Sequence, residues 1–146
     1  MASGPYTIMM VEDNPGDRML TKMAFEEAQV EVRFIEVGDG AEALSRLQRE
    51  PPYQDERRPD LMILDLNLPK LDGWEVLRIL KADPELRALP VIVLSSSDAP
   101  RDICEVYERQ GNSYFIKPLD MNRLAQIVER IRSYWLDGAS LPPRHD

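Results

Sequence analysis

One cysteine, one histidine and no long apolar run limit what this chain can do. A single thiol, Cys104, excludes an internal disulfide and suits a reducing compartment. The lone histidine, His145, stands one residue from the end, where neither a metal-ligating nor a phosphotransfer role is expected. No apolar stretch approaches the roughly 20 residues needed to span a bilayer. The start, MASGPYTIMMVED, has no basic segment followed by a long apolar one, so a cytoplasmic location is expected. Basic residues are in deficit, 18 Lys and Arg against 26 Asp and Glu, for a formal charge of −8. A surface of that sign repels nucleic acid and anionic lipid, and neither is expected as a partner. The turn after the first apolar run reads EDNPGD. It lacks the Gly- or Ser/Thr-rich cradle that a flavin- or nucleotide-binding module would need, and its charge repels phosphate unless a metal intervenes.

What is present suits one globular domain. Of 146 residues, 43% are hydrophobic and 30% charged, enough for a core that needs no disulfide or structural metal. Five short apolar runs predict strands: Thr7–Val11, Val32–Val37, Leu61–Asp65, Val91–Leu94 and Ser113–Lys117. LMILD and VIVLS are continuously apolar, as strands covered on both faces of a parallel sheet should be. Amphipathic stretches alternate with them. Asn14-Pro15 can cap and begin the first helix, with Leu20, Met23, Ala24 and Ala28 expected on one apolar face. Gly40–Gln48, Asp72–Ala82 and Pro100–Gln110 follow, and Asp120 caps a last helix with Leu124, Ile127, Val128, Ile131 and Trp135 at helical spacing. This (βα)₅ order, with short right-handed connections, predicts an α/β doubly wound parallel sheet of five strands. The expected domain is 1–136, followed by an irregular tail, 137–146. The proline- and charge-rich segment Glu50–Pro59 is expected to be an exposed loop.

In such sheets ligands bind beyond the carboxyl ends of the strands. The residues there are Glu12 and Asp13, Asp65, Ser95 and Lys117. Three carboxylates converging on one spot repel each other unless a cation joins them. Hard oxygen ligands with open positions suit Mg²⁺, which keeps several waters and shares its shell with phosphate. Lys117 adds a fixed positive charge and Ser95 a hydroxyl. This set is what phosphorylation of a carboxylate needs: a nucleophile, and cations to stabilise charge on the phosphoryl oxygens. Asp65, at the end of the most apolar strand, is the expected phosphoacceptor. Asp13 and Asp65 are expected as direct metal ligands, the Asn67 backbone carbonyl as a further ligand, and Glu12 as a ligand through water.

The motifs VEDN at 11–14, LDLNLPKLDG at 64–73, VLSSS at 93–97 and YFIKP at 114–118 fall in register. On these the chain resembles the receiver domains of two-component response regulators, over residues ~6–135. The resemblance implies the flavodoxin-like strand order 2-1-3-4-5. It implies that Ser95 is the switch hydroxyl and Tyr114 the switch aromatic, and that the output face is the fourth helix, fifth strand and fifth helix. It also implies a sensor histidine kinase as donor, and a phosphoacceptor signalling protein rather than an enzyme. Glu12 stands where Asp is frequent and Ser95 where Thr is frequent, which leaves the dephosphorylation rate open. The insertion before the third strand and the ending SYWLDGASLPP resemble the small regulators paired with bacterial and cyanobacterial phytochromes. That narrower resemblance implies a stand-alone receiver, a phytochrome donor and a homodimer through the α4-β5-α5 face.

Simpler readings stand beside these. Asn14 and Asp120 serve as helix caps, Asp72-Gly73 as turn chemistry, and Ser96 and Ser97 as loop. Tyr134 and Trp135 are packing or part of a dimer face. Pro118 stops a strand, and Cys104 is inert. The alternative function is a Mg²⁺-dependent aspartate-nucleophile phosphatase. Such enzymes want DxDx[TV], and here Asn67 stands where their acid/base Asp belongs.

Overall fold

The computed structural model describes residues 5–117 and 120–143; Pro118 and His145 lie outside them. Five parallel strands, β1 (Tyr6–Val11), β2 (Val32–Val37), β3 (Leu61–Leu64), β4 (Val91–Ser95) and β5 (Ser113–Ile116), form one sheet in the order β2-β1-β3-β4-β5. The helices between and after them are α1 (Pro15–Glu27), α2 (Gly40–Leu47), α3 (Gly73–Ala82), α4 (Pro100–Glu108) and α5 (Met121–Ile131). The flavodoxin-like order therefore holds, and most boundaries agree with the sequence reading to within two residues.

Alternation along the central strands builds two cores. Met9, Val11, Met62, Leu64, Val91 and Val93 face α2, α3 and α4, whose Leu44, Leu47, Val76, Leu77, Leu80 and Val106 cover them. Ile8, Leu61, Ile63, Ile92 and Leu94 point the other way, onto Ala24 and Phe25 of α1 and Leu124, Ile127, Val128 and Ile131 of α5. Each large apolar side chain so buried contributes about 1.5–3 kcal/mol. The register fixes the site: Val11 of β1 stands beside Leu64 of β3, so the residues that follow each leave the sheet at one level.

The α1 expectation needs correction. Thr21, Ala24 and Phe25 are its buried residues, whereas Leu20 and Met23 are exposed, as is Met19. Phe25 packs edge-on against Phe34, ring centroids 5.3 Å apart, and this aromatic fixes the rotation of the helix. Thr21 is tolerated inside because its hydroxyl donates to the Asp17 carbonyl at 3.0 Å.

Helix α5 continues into a wider π-type turn, Arg132–Leu136, closed by Asp137 N–H donating to the Arg132 carbonyl. The Tyr6 hydroxyl donates to the Leu136 carbonyl at 2.5 Å, tying this end of the chain to β1. Trp135 packs against the α1–α5 core, while Tyr134 is exposed. Among the described residues no helix is long and apolar enough to cross a membrane.

Candidate functional site

The site forms where β1, β3 and β5 end. Glu12 continues the β1 ladder, its N–H donating to the Val37 carbonyl at 2.9 Å. The chain then turns at Asn14, whose side chain accepts from the Gly16 and Asp17 N–H groups and caps α1 with Pro15 in its first turn. Asp65 N–H donates to the Val11 carbonyl at 3.1 Å, so the residue after β3 is held beside the end of β1. Lys117 N–H donates to the Ser95 carbonyl at 2.6 Å and carries β5 to the same level.

Glycine is required at one point behind the phosphoacceptor candidate. A Cβ on Gly73 would meet the Asp65 carbonyl oxygen and would lie 2.6 Å from the Leu66 Cα. Gly73 N–H donates to the Leu66 carbonyl at 2.9 Å, so α3 starts hard against the backbone beside Asp65. Asp72, read from the sequence as turn chemistry, is instead the cap of that helix, its side chain accepting from the Glu75 N–H.

Glu12, Asp13 and Asp65 each place a carboxylate oxygen within 4.8 Å of the others. Glu12 and Asp65 are buried and Asp13 is exposed. Lys117 Nζ lies 2.6 Å from Glu12, 2.7 Å from Asp17 and 3.2 Å from Asp65. The remaining oxygens of the two buried acids accept backbone bonds: Asn14 N–H to Glu12 and Asn67 N–H to Asp65, both at 3.1 Å. Burial pushes the Glu12 carboxyl up to about 7. The Asp65 charge adds to this, and the bonds from Lys117 and the Asn14 N–H oppose it without cancelling it. For Lys117, burial disfavours the charge. The bonds to Asp17 and Glu12 and the Asp65 charge outweigh that and hold it above the ordinary lysine range.

Three clustered carboxylate oxygens, one of them on an exposed side chain, fit a hard divalent cation such as Mg²⁺ or Mn²⁺. A cation there would also offset repulsion among carboxylates, three of which share one lysine. The Asn67 side chain is exposed.

Ser95 and Tyr114 belong to a second, adjoining group. Ser95 is fully buried, and its hydroxyl oxygen accepts from Ser97 N–H at 3.2 Å rather than reaching Asp65. Tyr114 is half-buried, and its hydroxyl donates to the Ser97 carbonyl at 2.8 Å. Ser97 Oγ donates to Asp102 of α4 at 2.6 Å. Ser97, read from sequence as loop, therefore joins β4, β5 and α4. No sequence signal marks it, because its partners are brought by three different elements. Asp17 carries no such signal either; an acid in the first turn of a helix reads as a complement to the helix dipole.

A cleft of about 590 Å³ lies at the opposite, amino end of the strands, lined by Arg58, Asp60, Leu89, Pro90 and Pro142 among others, away from the carboxylates.

Comparison with known proteins adds the family. Residues 8–129 match the response regulator receiver domain. Response regulator Rcp1 of Synechocystis sp. is 37% identical over 138 residues, covering 94% of each chain. Its Mn²⁺-bound crystal structure superimposes with a TM-score of 0.88 over 95% of this chain and all of that one. The phosphorylated cyanobacterial phytochrome response regulator RcpA is 42% identical, with a TM-score of 0.90 over 96% of this chain and all of that one. A probable methanogenesis regulatory protein, FilR2 of Methanothrix harundinacea, is also 42% identical over 135 residues, 92% of this chain and 86% of that protein. The acidic cluster and its lysine thus sit on a chain that belongs to the response regulator receiver domain family.

Proposed function

We propose that this receiver domain accepts a phosphoryl group on Asp65 from a sensor histidine kinase, in a Mg²⁺-dependent reaction, and signals by protein contact. The observation that carries this is the meeting of the Asp65 carboxylate with Glu12, Asp13 and Lys117 beyond the strand ends. Lys117 and the Asn67 N–H hold one oxygen each of Asp65 and so aim the carboxylate. An Asp65 oxygen forms the new bond to phosphorus while the bond from phosphorus to the donor's imidazole nitrogen breaks, the electron pair leaving with that nitrogen. Lys117 places its positive charge where the phosphoryl oxygens arrive. Mg²⁺, when bound, supplies further positive charge to those oxygens. Asp13 and Asp65 would hold it directly, the Asn67 carbonyl would join them, and Glu12 would act through water. That RcpA is a phosphorylated phytochrome response regulator and that Rcp1 binds Mn²⁺ supports the same roles here, with a phytochrome as donor.

Ser95 and Tyr114 are the switch pair in this reading. When the Ser95 hydroxyl turns to a phosphoryl oxygen it releases Ser97 N–H, and Ser97 also holds Tyr114 and α4. The output face is α4-β5-α5. Tyr107 on α4 and Ile116 on the edge strand β5 are exposed there, which suits a homodimer through that face. We place the reaction in the cytoplasm and assign no enzymatic turnover on other substrates. The phosphatase alternative lacks its acid, since Asn67 occupies that position.

The test follows Trp74 and Trp135 fluorescence with Mg²⁺ and the phosphoryl mimic beryllofluoride. Trp74 is a reporter of α4, because its ring lies 5.5 Å from the Arg109 guanidinium beside that helix. A Mg²⁺-dependent response that vanishes in the near-isosteric Asp65→Asn variant is expected. Labelled phosphate appearing on that variant would reassign the acceptor. Sedimentation with and without the mimic tests the dimer, and a monomer at high concentration in both states would remove it.

A further inference from the structure

Asp17 has no role in the reading above, yet its contact to Lys117 is shorter than that of Asp65: 2.7 Å against 3.2 Å. We propose that Asp17 is a positioning residue that parks the Lys117 ammonium in the unphosphorylated protein, and that a phosphoryl group on Asp65 must draw the ammonium away from it. This rests on Asp65 being the phosphoacceptor.

The argument is one of counting and cost. An ammonium has three hydrogens to donate. Three carboxylates, on Glu12, Asp17 and Asp65, lie within reach of Lys117 Nζ. Phosphorylation turns the Asp65 carboxylate into an acyl phosphate and moves its charge outward to the phosphoryl oxygens, so Lys117 can follow that charge only by loosening a contact to Glu12 or Asp17. Glu12 is a poor one to release: its side chain is 8% exposed, and its charge would be left buried with only the Asn14 N–H as a partner. The Asp17 side chain is 38% exposed, so water takes over its bond at little cost. Asp17 is thus the carboxylate that lets go.

Its position is set by α1 and not by chance proximity. Asp17 N–H donates to the Asn14 side chain at 3.1 Å, and its carbonyl accepts from the Thr21 hydroxyl. The helix is pinned to the site by Arg18, which donates to the Glu12 carbonyl at 2.5 Å. These anchors on Asp17 are backbone bonds, so they survive replacement of the side chain. Asp17→Asn keeps shape and anchors and removes the charge that competes for Lys117.

The experiment compares beryllofluoride affinity at saturating Mg²⁺ in wild type, Asp17→Asn, Lys117→Met and the double variant, with unfolding midpoints as a check on folding. Asp17→Asn should bind the mimic about fivefold more tightly, the release of one exposed ion pair, or about 1 kcal/mol at 1.4 kcal/mol per factor of ten. In the Lys117→Met background the same change should have less than about a twofold effect. A second readout needs no metal or mimic: in metal-free protein, NMR should show the Lys117 ammonium hydrogens exchanging with water several times faster in Asp17→Asn. Unchanged affinity and unchanged exchange in Asp17→Asn would overturn the proposal. So would a fivefold gain that persists without Lys117, which would mean that Asp17 acts by charge alone. If Lys117→Met binds too weakly to measure, ammonium exchange decides. Failure of the phosphoacceptor reading looks different: wild type and Asp65→Asn would then respond alike to beryllofluoride, and the role of Asp17 would fall with it.

Discussion

Replacing Lys117 by methionine should destabilise the metal-free protein, and by an amount that depends on pH. Methionine keeps most of the length and bulk of the lysine stem, so packing is largely preserved and the charge is what is lost. The ammonium sits 2.6 Å from Glu12 and 3.2 Å from Asp65, whose side chains are both only 8% exposed. Removing one partner from a buried charge pair costs about 3–5 kcal/mol. Protonation caps that cost, because a stranded carboxylate can take up a proton instead. For Glu12, held at about 7 in the folded wild type, this costs about 1.4 kcal/mol per pH unit above that value, so about 1.4 kcal/mol at about pH 8 and almost nothing at about pH 6. Glu12 is the group that accepts the proton, since burial already holds it up at about 7 with the lysine present. Its folded pKa is raised above the unfolded one. The folded state therefore binds the proton more tightly, and stability falls as pH rises through this window. The variant should accordingly lose about 1–1.5 kcal/mol more against wild type at about pH 8 than at about pH 6. Urea unfolding in chelator, followed by Trp74 and Trp135 fluorescence, measures both. Millimolar Mg²⁺ should recover part of the loss, because a cation among the carboxylates replaces the missing charge. An equal loss at both pH values would refute the reasoning and assign the effect to packing of the lysine stem.

Because Glu12 carries a proton below about 7, Mg²⁺ affinity should fall toward tenfold per pH unit below that value and flatten above it; a Mg²⁺ titration across pH checks this, and a flat profile in wild type would count against a role for Glu12. Gly73→Ala should cost about 1–3 kcal/mol by urea unfolding, since its Cβ must displace the backbone at Asp65 and Leu66. Gly38→Ala, where the nearest atom is 3.8 Å away on the Arg18 side chain, is the control and should cost much less. Tyr114→Phe loses the 2.8 Å bond to the Ser97 carbonyl and should cost about 1 kcal/mol, with faster amide exchange in the turn after β4; unchanged exchange there would mean that Ser97 is held without Tyr114.

Much of this protein was open to reading before folding is considered, and for one reason. A parallel sheet covered on both faces leaves its strands as short, continuously apolar runs, and the topology sends every strand's carboxyl end to one edge. LMIL and VIVLS announced β3 and β4, and Glu12, Asp13, Asp65 and Lys117 could be placed together because each follows such a run. Helix starts at Asn14 and Asp120 were equally plain, since both are caps acting over two or three residues.

What the tertiary structure alone decided involves choices among partners of similar energy. Periodicity says which residues share a helix face but not how far the helix is turned: Phe25 meeting Phe34 rotated α1 and left Leu20 and Met23 outside. The same rotation brought the Asp17 carboxylate to Lys117, a contact spanning 100 residues that no local rule marks. Ser97 became a junction only because β4, β5 and α4 meet around it. Local sequence determined the elements and which chemistry lies at their ends. Packing between elements determined which of several nearby acids each cation touches, because such contacts differ by only about a kilocalorie per mole and are settled by position.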